Sequence, residues 1–191
     1  MLGKPGSGKG TQGKILADKH NLVYISTGAM LRQEVANDTE IGRIAKPYMD
    51  KGQIVPDEIP IKLIEQKIES NPNTEGFVFK GFPRTIVQAY ILDGLLQRED
   101  MELSGMIEMR ISTLEAVKRL STRAHTDRAR PYDMTTDLIV DRLEQYRLKT
   151  LSVNEYYKKQ GKFHSVKATG STEEVLERLS QQIKEITRMN Y

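Results

Sequence analysis

Gly3-Lys4-Pro5-Gly6-Ser7-Gly8-Lys9-Gly10-Thr11-Gln12 crowds glycines around one lysine and runs straight into an amphipathic segment, residues 13–20. No other stretch constrains the fold as strongly. Glycines let consecutive backbone N–H groups turn toward one anion, and the following helix adds the positive end of its dipole. In such a cradle Lys9 reaches the outer phosphates of a nucleotide and Thr11 faces a magnesium ion. The generic pattern G-x-x-x-x-G-K-[ST] is met at Gly3, Gly8 and Lys9 and missed at Gly10. Alone, the loop therefore leaves open a glycine-rich turn that merely caps a helix.

Apolar runs at 22–25, 77–79, 106–111 and 163–166 read as short strands, and they alternate with helical patterns at 60–70, 84–98, 113–124, 137–160 and 172–188. That alternation implies an α/β fold with a parallel sheet. The last helix opens with Ser171 and, three residues on, Glu174, a capping-box pattern, and aligns Val175, Leu179, Ile183 and Ile186 on one face. At 191 residues and 38% hydrophobic content, the chain is expected to form one domain, 1–191.

Four further segments accompany the loop in order. They are Ser26-Thr27-Gly28-Ala29-Met30-Leu31-Arg32, then Gly52-Gln53-Ile54-Val55-Pro56-Asp57-Glu58, then Gly81-Phe82-Pro83-Arg84-Thr85 with Gln88, and an arginine series from Arg119 to Arg142. Together with the loop, whose Gly10-Thr11 ending is then regular, they resemble the adenylate kinase family over nearly the whole chain. The resemblance implies a P-loop three-layer fold with five strands in the order 2-3-1-4-5, a helical acceptor-binding insertion at 27–59 and a short lid at 124–133. It also implies reversible phosphoryl transfer from ATP to AMP, giving two ADP, with magnesium. A UMP/CMP kinase and a nucleotide-binding paralogue with impaired catalysis are the alternatives.

Phosphoryl transfer asks a protein for positioning and charge neutralisation, work suited to guanidinium groups that bind phosphate oxygens in pairs. By resemblance, Gly6, Ser7, Gly8, Lys9, Gly10 and Thr11 hold ATP. Arg123 contacts its phosphates, Arg119 packs on its base, and Gly170 lies near the donor adenine. Arg84 and Arg32 grip the acceptor phosphate, while Arg130 and Arg142 neutralise charge during transfer. Thr27 and Gln88 select adenine over pyrimidines, because a carboxamide pairs the N6 donor beside the N1 acceptor. Gln53, Val55 and Gly81 line the same acceptor pocket.

The chain departs from the family at three places. Lys80 stands before Gly-Phe-Pro-Arg where an aspartate holds magnesium-bound waters. Exchanging −1 for +1 at ~5 Å from a divalent ion costs roughly 3 kcal/mol even in water's dielectric, so Lys80 either weakens magnesium handling or contacts a phosphate itself. The lid pattern Arg-x-Asp-Asp appears as Arg130-Pro131-Tyr132-Asp133-Met134, read as having an extra residue and one carboxylate lost. Finally, only Met1 and Leu2 precede Gly3, so the first strand is expected to be largely missing, the core opened and the loop unmoored. That shortfall fits either residues ahead of Met1 or a degraded paralogue.

With no cysteine, disulfides and the zinc-bearing long lid are excluded. Lys and Arg at 29 nearly balance Asp and Glu at 26, and aromatics make up only 6%, which argues against nucleic acid as a partner. No apolar run is long enough to span a membrane. A cytoplasmic monomer binding ATP, AMP and ADP is the expectation, with His20, His125 and His164 as structural residues.

Overall fold

Short apolar runs and helical patterns fold as they alternate in the sequence. A computed structural model describes residues 1–189, the side chains at 151 and 189 excepted. In chain order the elements are β1 (Leu2–Gly3), α1 (Lys9–Lys19), β2 (Val23–Ser26), α2 (Thr27–Ala36), α3 (Glu40–Asp50), α4 (Glu58–Glu69), β3 (Phe77–Lys80), α5 (Ile86–Arg98) and β4 (Met106–Arg110). They continue with α6 (Thr113–Arg123), a 3-10 turn (Pro131–Asp133), α7 (Thr136–Lys159), β5 (Phe163–Lys167) and α8 (Thr172–Met189).

Side-chain caps set where several helices begin. Thr39, Thr85, Ser112 and Thr135 each accept a hydrogen bond from the backbone N–H three residues on, which satisfies one of the donors a helix leaves free at its start. The capping box expected at α8 is formed in full: Glu174 N donates to Ser171 Oγ at 3.2 Å and Ser171 N donates to Glu174 Oε2 at 2.7 Å.

All strand pairs are parallel: β2 with β3, and β1 with β4, which in turn pairs with β5. Two residues of β1 are too few to make ladders on both sides, so the ladder breaks between β3 and β1. A single bond bridges it, from the Met1 amine to Phe79 O at 2.6 Å. Through that bond the order reads 2-3-1-4-5, as expected.

The expectation of an opened core is corrected. Leu2 is only 3% exposed and packs with Ala89, Met106, Val153 and Tyr157. The loop is anchored too: Ser7 N donates to Lys4 O at 3.1 Å, and Lys4 Nζ donates to Ile111 O at 3.0 Å.

One apolar cluster joins β4 and β5 to α1, α6, α7 and α8 through residues such as Met109, Leu120, Ile139 and Leu179; another joins β2 and β3 to α4 and α5 through Ile25, Ile64, Phe79 and Leu92. Each such fully buried side chain contributes about 1.5–3 kcal/mol. Because the strands are parallel, Gly3, Ser26, Lys80 and Arg110 end at one edge. The segments that leave those ends converge there, where an open α/β sheet binds its ligands.

Candidate active site

The glycine-rich loop leaves β1 and closes on the N-terminus of α1. Gly6 and Gly8 have φ of +83° and +87°, the left-handed region that favours glycine. Gly10 has no such requirement, since a Cβ there would meet nothing nearer than the Tyr24 hydroxyl at 3.9 Å. Lys9 folds back into the loop, donating to Gly3 O and Lys4 O at 2.7 Å each and to Ser7 Oγ at 3.1 Å. Burial, followed by the charges of Lys80, Arg84, Arg142 and Arg123, pushes its ammonium pKa well below the usual lysine range. Thr11 is exposed on the first turn of α1.

A second group forms where β2 and β3 end. Thr27 Oγ1 donates to Gly81 O at 3.0 Å, and Arg84 Nε donates to the same carbonyl at 2.8 Å. Gly81, at φ +79°, leaves no room for a side chain: a Cβ would lie 3.0 Å from the Arg84 guanidinium. Gln88 is buried on the first turn of α5, its Oε1 accepting from Arg84 N at 2.7 Å and its Nε2 donating to Asp57 Oδ1 at 2.7 Å. Asp57 Oδ2 also accepts from Thr85 Oγ1 at 3.0 Å. Asp57 lay inside a segment singled out from the sequence, yet its role was missed, because a carboxylate reaching Gln88 across 31 residues leaves no local signal.

The third group comes from α6, the 3-10 turn and α7. Asp133 is buried and accepts from Arg123 Nε and Nη2 at 2.7 Å each and from Arg130 N at 2.8 Å. Tyr132 lies between two guanidiniums, with Arg123 Cζ 5.6 Å and Arg142 Cζ 5.7 Å from its ring centroid. Arg142 Nη1 donates to Gly52 O at 3.0 Å, while its Nε is buried without a partner. That contact ties α7 to the chain just after α3, on the opposite wall of the site.

Arg32, on α2, lies close enough to Arg130 and Arg123 for their charges to lower its pKa further after burial has done so. Burial and the charge of Arg142 bring Arg84 to about 9. Lys80, held by Ser26 Oγ at 3.3 Å, is brought to about 7 by burial and then by Arg84, Arg32, Arg130 and Arg123. Three chain segments thus aim cations at one space, and the buried carboxylate among them, Asp133, is already taken. Such an arrangement fits a polyanion.

Arg119 joins the loop to the segment that follows β5, donating to Gly6 O at 3.4 Å and Ala168 O at 3.1 Å. Gly170 follows that segment at φ +106°, where a Cβ would strike the Glu174 carboxylate. Arg178, which the sequence reading did not single out, supports it by donating to Thr169 O at 2.7 Å. On the other side, Gln53 and Val55 line a cleft of about 320 Å³ with Asp57, Thr85 and Lys149.

The sequence model of the adenylate kinase family matches residues 1–162. The chain is 40% identical over 186 residues to an adenylate kinase of Flavobacterium psychrophilum, covering 97% of each chain. The chain belongs to the adenylate kinase family. An adenylate kinase of Azobacteroides pseudotrichonymphae is 37% identical over 188 residues, covering 98% of this chain and 97% of the relative. One of Corynebacterium urealyticum is 36% identical over 177 residues, covering 93% of each.

Within this adenylate kinase fold, the reading of an extra residue in the lid pattern is corrected. Arg130 to Asp133 keeps the four-residue spacing of Arg-x-Asp-Asp; the change is Tyr132 in place of the first carboxylate. The second carboxylate, Asp133, carries the contacts to Arg123.

Magnesium finds few protein donors in this kinase. Among the described residues no group of three or more His, Cys, Asp or Glu could hold a metal ion, and β3 ends on an ammonium. The donor set does not fit a protein-held divalent ion. Nor is any helix among the described residues long and apolar enough to cross a membrane.

Lys80 has a consequence for stability. Its folded pKa of about 7 lies below the ordinary lysine value of 10.5, so between these pH values the unfolded chain binds more protons and stability rises with pH. Replacing Lys80 by Met should raise Tm by several degrees at pH 6, with the gain shrinking as pH rises toward 10. Thermal melts of the ligand-free protein across that range check it.

Proposed function

We propose that this site transfers a phosphoryl group reversibly from ATP, as its magnesium complex, to AMP, giving two ADP. The observation that carries the reading is the convergence of Lys9, Arg84, Arg123 and Arg142 from separate segments on one space, with Arg142 Nε buried and unpartnered. A buried donor without a partner is costly unless a ligand fills it. Magnesium enters with ATP and supplies charge neutralisation at its phosphates.

The glycine-rich loop and α1 hold the donor phosphates, Arg119 and Gly170 bound the donor adenine, and Arg84 and Arg32 grip the acceptor phosphate. Residues 27–59 act as the acceptor-binding insertion and 124–133 as a short lid. Arg123 and Arg130 come in with the lid as it closes, and Arg142 of α7 meets the insertion at Gly52. Closure excludes water, which would otherwise take the phosphoryl group. A cytoplasmic monomer is the form we assign to it.

Gln88 presents the acceptor base with a fixed face. Its Oε1 is turned toward Arg84 N and its Nε2 toward Asp57, which leaves one N–H and one lone pair for adenine N1 and N6. A pyrimidine with N4–H₂ beside N3 could use the same pair of groups but would fill less of the space. The UMP/CMP kinase alternative is not favoured.

ADP formation from ATP with AMP, CMP and UMP as acceptors tests the assignment; AMP should be preferred. Asp57→Ala, which frees the Gln88 amide to rotate, should raise the KM for AMP about tenfold, the loss of one good hydrogen-bond geometry. It should leave kcat within a factor of about three and narrow the preference over CMP.

A further inference from the structure

Lys80 ends β3 opposite Ser26 on β2. An ammonium carries three N–H donors, and this one spends a single bond, 3.3 Å to Ser26 Oγ. No carboxylate pairs with it among the described residues. The charged groups that face it are Arg84 after β3, Arg32 on α2, and Arg123 and Arg130 around the 3-10 turn. Lys9 on α1 feels its charge in turn. Folding alone gives no reason to hold a lysine in this place, since every neighbouring charge repels it and burial strips it of water.

We propose that Lys80 is a direct ligand of the bound phosphate chain, placed between the donor-side Lys9 and the acceptor-side Arg84 and Arg32, and that its charge supplies part of the neutralisation otherwise left to magnesium. This deepens the reading of the site as a nucleotide phosphotransferase and rests on it. The two unspent donors then point to oxygens of the transferring group or its immediate neighbours. Burial and the surrounding guanidiniums bring the Lys80 pKa to about 7, and an adjoining polyphosphate raises that value. At pH 8 Lys80 is therefore mostly neutral before ATP binds, and ATP binding draws a proton in. At pH 6 it is already protonated and the uptake is lost.

The test is calorimetric binding of ATP without magnesium at pH 8, in two buffers of different ionisation heat. Wild type should take up more protons than Lys80→Met by between about half and one, with the difference gone at pH 6. Because Lys9 feels the charge of Lys80, Lys80→Arg, which keeps a fixed charge beside Lys9, is measured alongside to bracket the protons taken up by Lys9. Lys80→Gln serves as a second neutral variant should methionine prevent folding.

Turnover gives an independent readout. At limiting magnesium, kcat/KM of Lys80→Met should fall about twentyfold and that of Lys80→Arg less than about threefold, with the methionine deficit narrowing as magnesium saturates. Equal proton uptake in wild type and both neutral variants would overturn the proposal. So would a Lys80→Asp variant whose turnover and magnesium affinity rise together. Because proton uptake is read on ATP binding alone, it is decided separately from the choice of acceptor.

Discussion

Replacing Lys9 by Met is expected to lower kcat/KM for ADP formation by about a thousandfold, equivalent to about 4 kcal/mol of transition-state stabilisation. Phosphoryl transfer asks for little covalent chemistry from the protein, so a fixed charge beside the phosphates carries much of the rate. Lys9 is bound by its own loop, to Gly3 O, Lys4 O and Ser7 Oγ. An anion must outbid those three oxygens for the ammonium, or share it with them. The repulsion of Lys80 and the nearby arginines favours the anion. Methionine keeps the length and packing of the side chain and removes the charge. Steady-state kinetics together with a melting curve separate the two effects: a folded variant whose kcat/KM stays within tenfold of wild type would take Lys9 out of the proposed mechanism.

The loop around Lys9 also shows what could be read from the residues. Gly6 and Gly8 occupy the left-handed backbone region their identity suggests, and the alternation of short apolar runs with helical patterns indicated a parallel sheet, while the order of its strands came from the family resemblance. These signals are local. Ser171 and Glu174 needed only a three-residue spacing to forecast a capping box. Asp57 and Tyr132 were not legible in the same way, because their roles depend on partners brought in by tertiary contacts: Gln88 for the first, Arg123 and Arg142 for the second. The contribution of β1 was underrated for a related reason. Strand length alone forecast an open core, but two residues suffice to bury Leu2 against Ala89, Met106, Val153 and Tyr157, and one bond from Met1 to Phe79 bridges the break in the ladder.

Asp133→Ala is expected to lower kcat/KM about thirtyfold while leaving the body of the protein folded. The carboxylate is 0% exposed and bonds both Arg123 nitrogens and the Arg130 N–H. Removing one partner of a buried pair typically costs about 3–5 kcal/mol. Here Arg123 is 26% exposed, so water covers part of the loss and about 2 kcal/mol is the reasonable share. That cost falls on a segment joined to the rest by few elements, so the segment opens locally before the core does. Hydrogen exchange over 124–135 should accelerate in the variant while β3, β4 and α5 keep their protection. Loss of activity with unchanged exchange there would contradict the argument. Tyr132→Phe removes only a 3.2 Å bond from Arg123 to the hydroxyl and keeps the ring between the two guanidiniums, so its activity should stay within about threefold of wild type. The difference between the variants follows from charge. Arg123, Arg130, Arg32 and Arg142 lie around one space, and Asp133 neutralises only Arg123 among them. The cluster is therefore held together against its own repulsion, and bound phosphates would supply the missing negative charge. Without Asp133 the ligand alone must hold Arg123 in place, so the loss should appear at every nucleotide concentration and shrink, without vanishing, as both sites saturate.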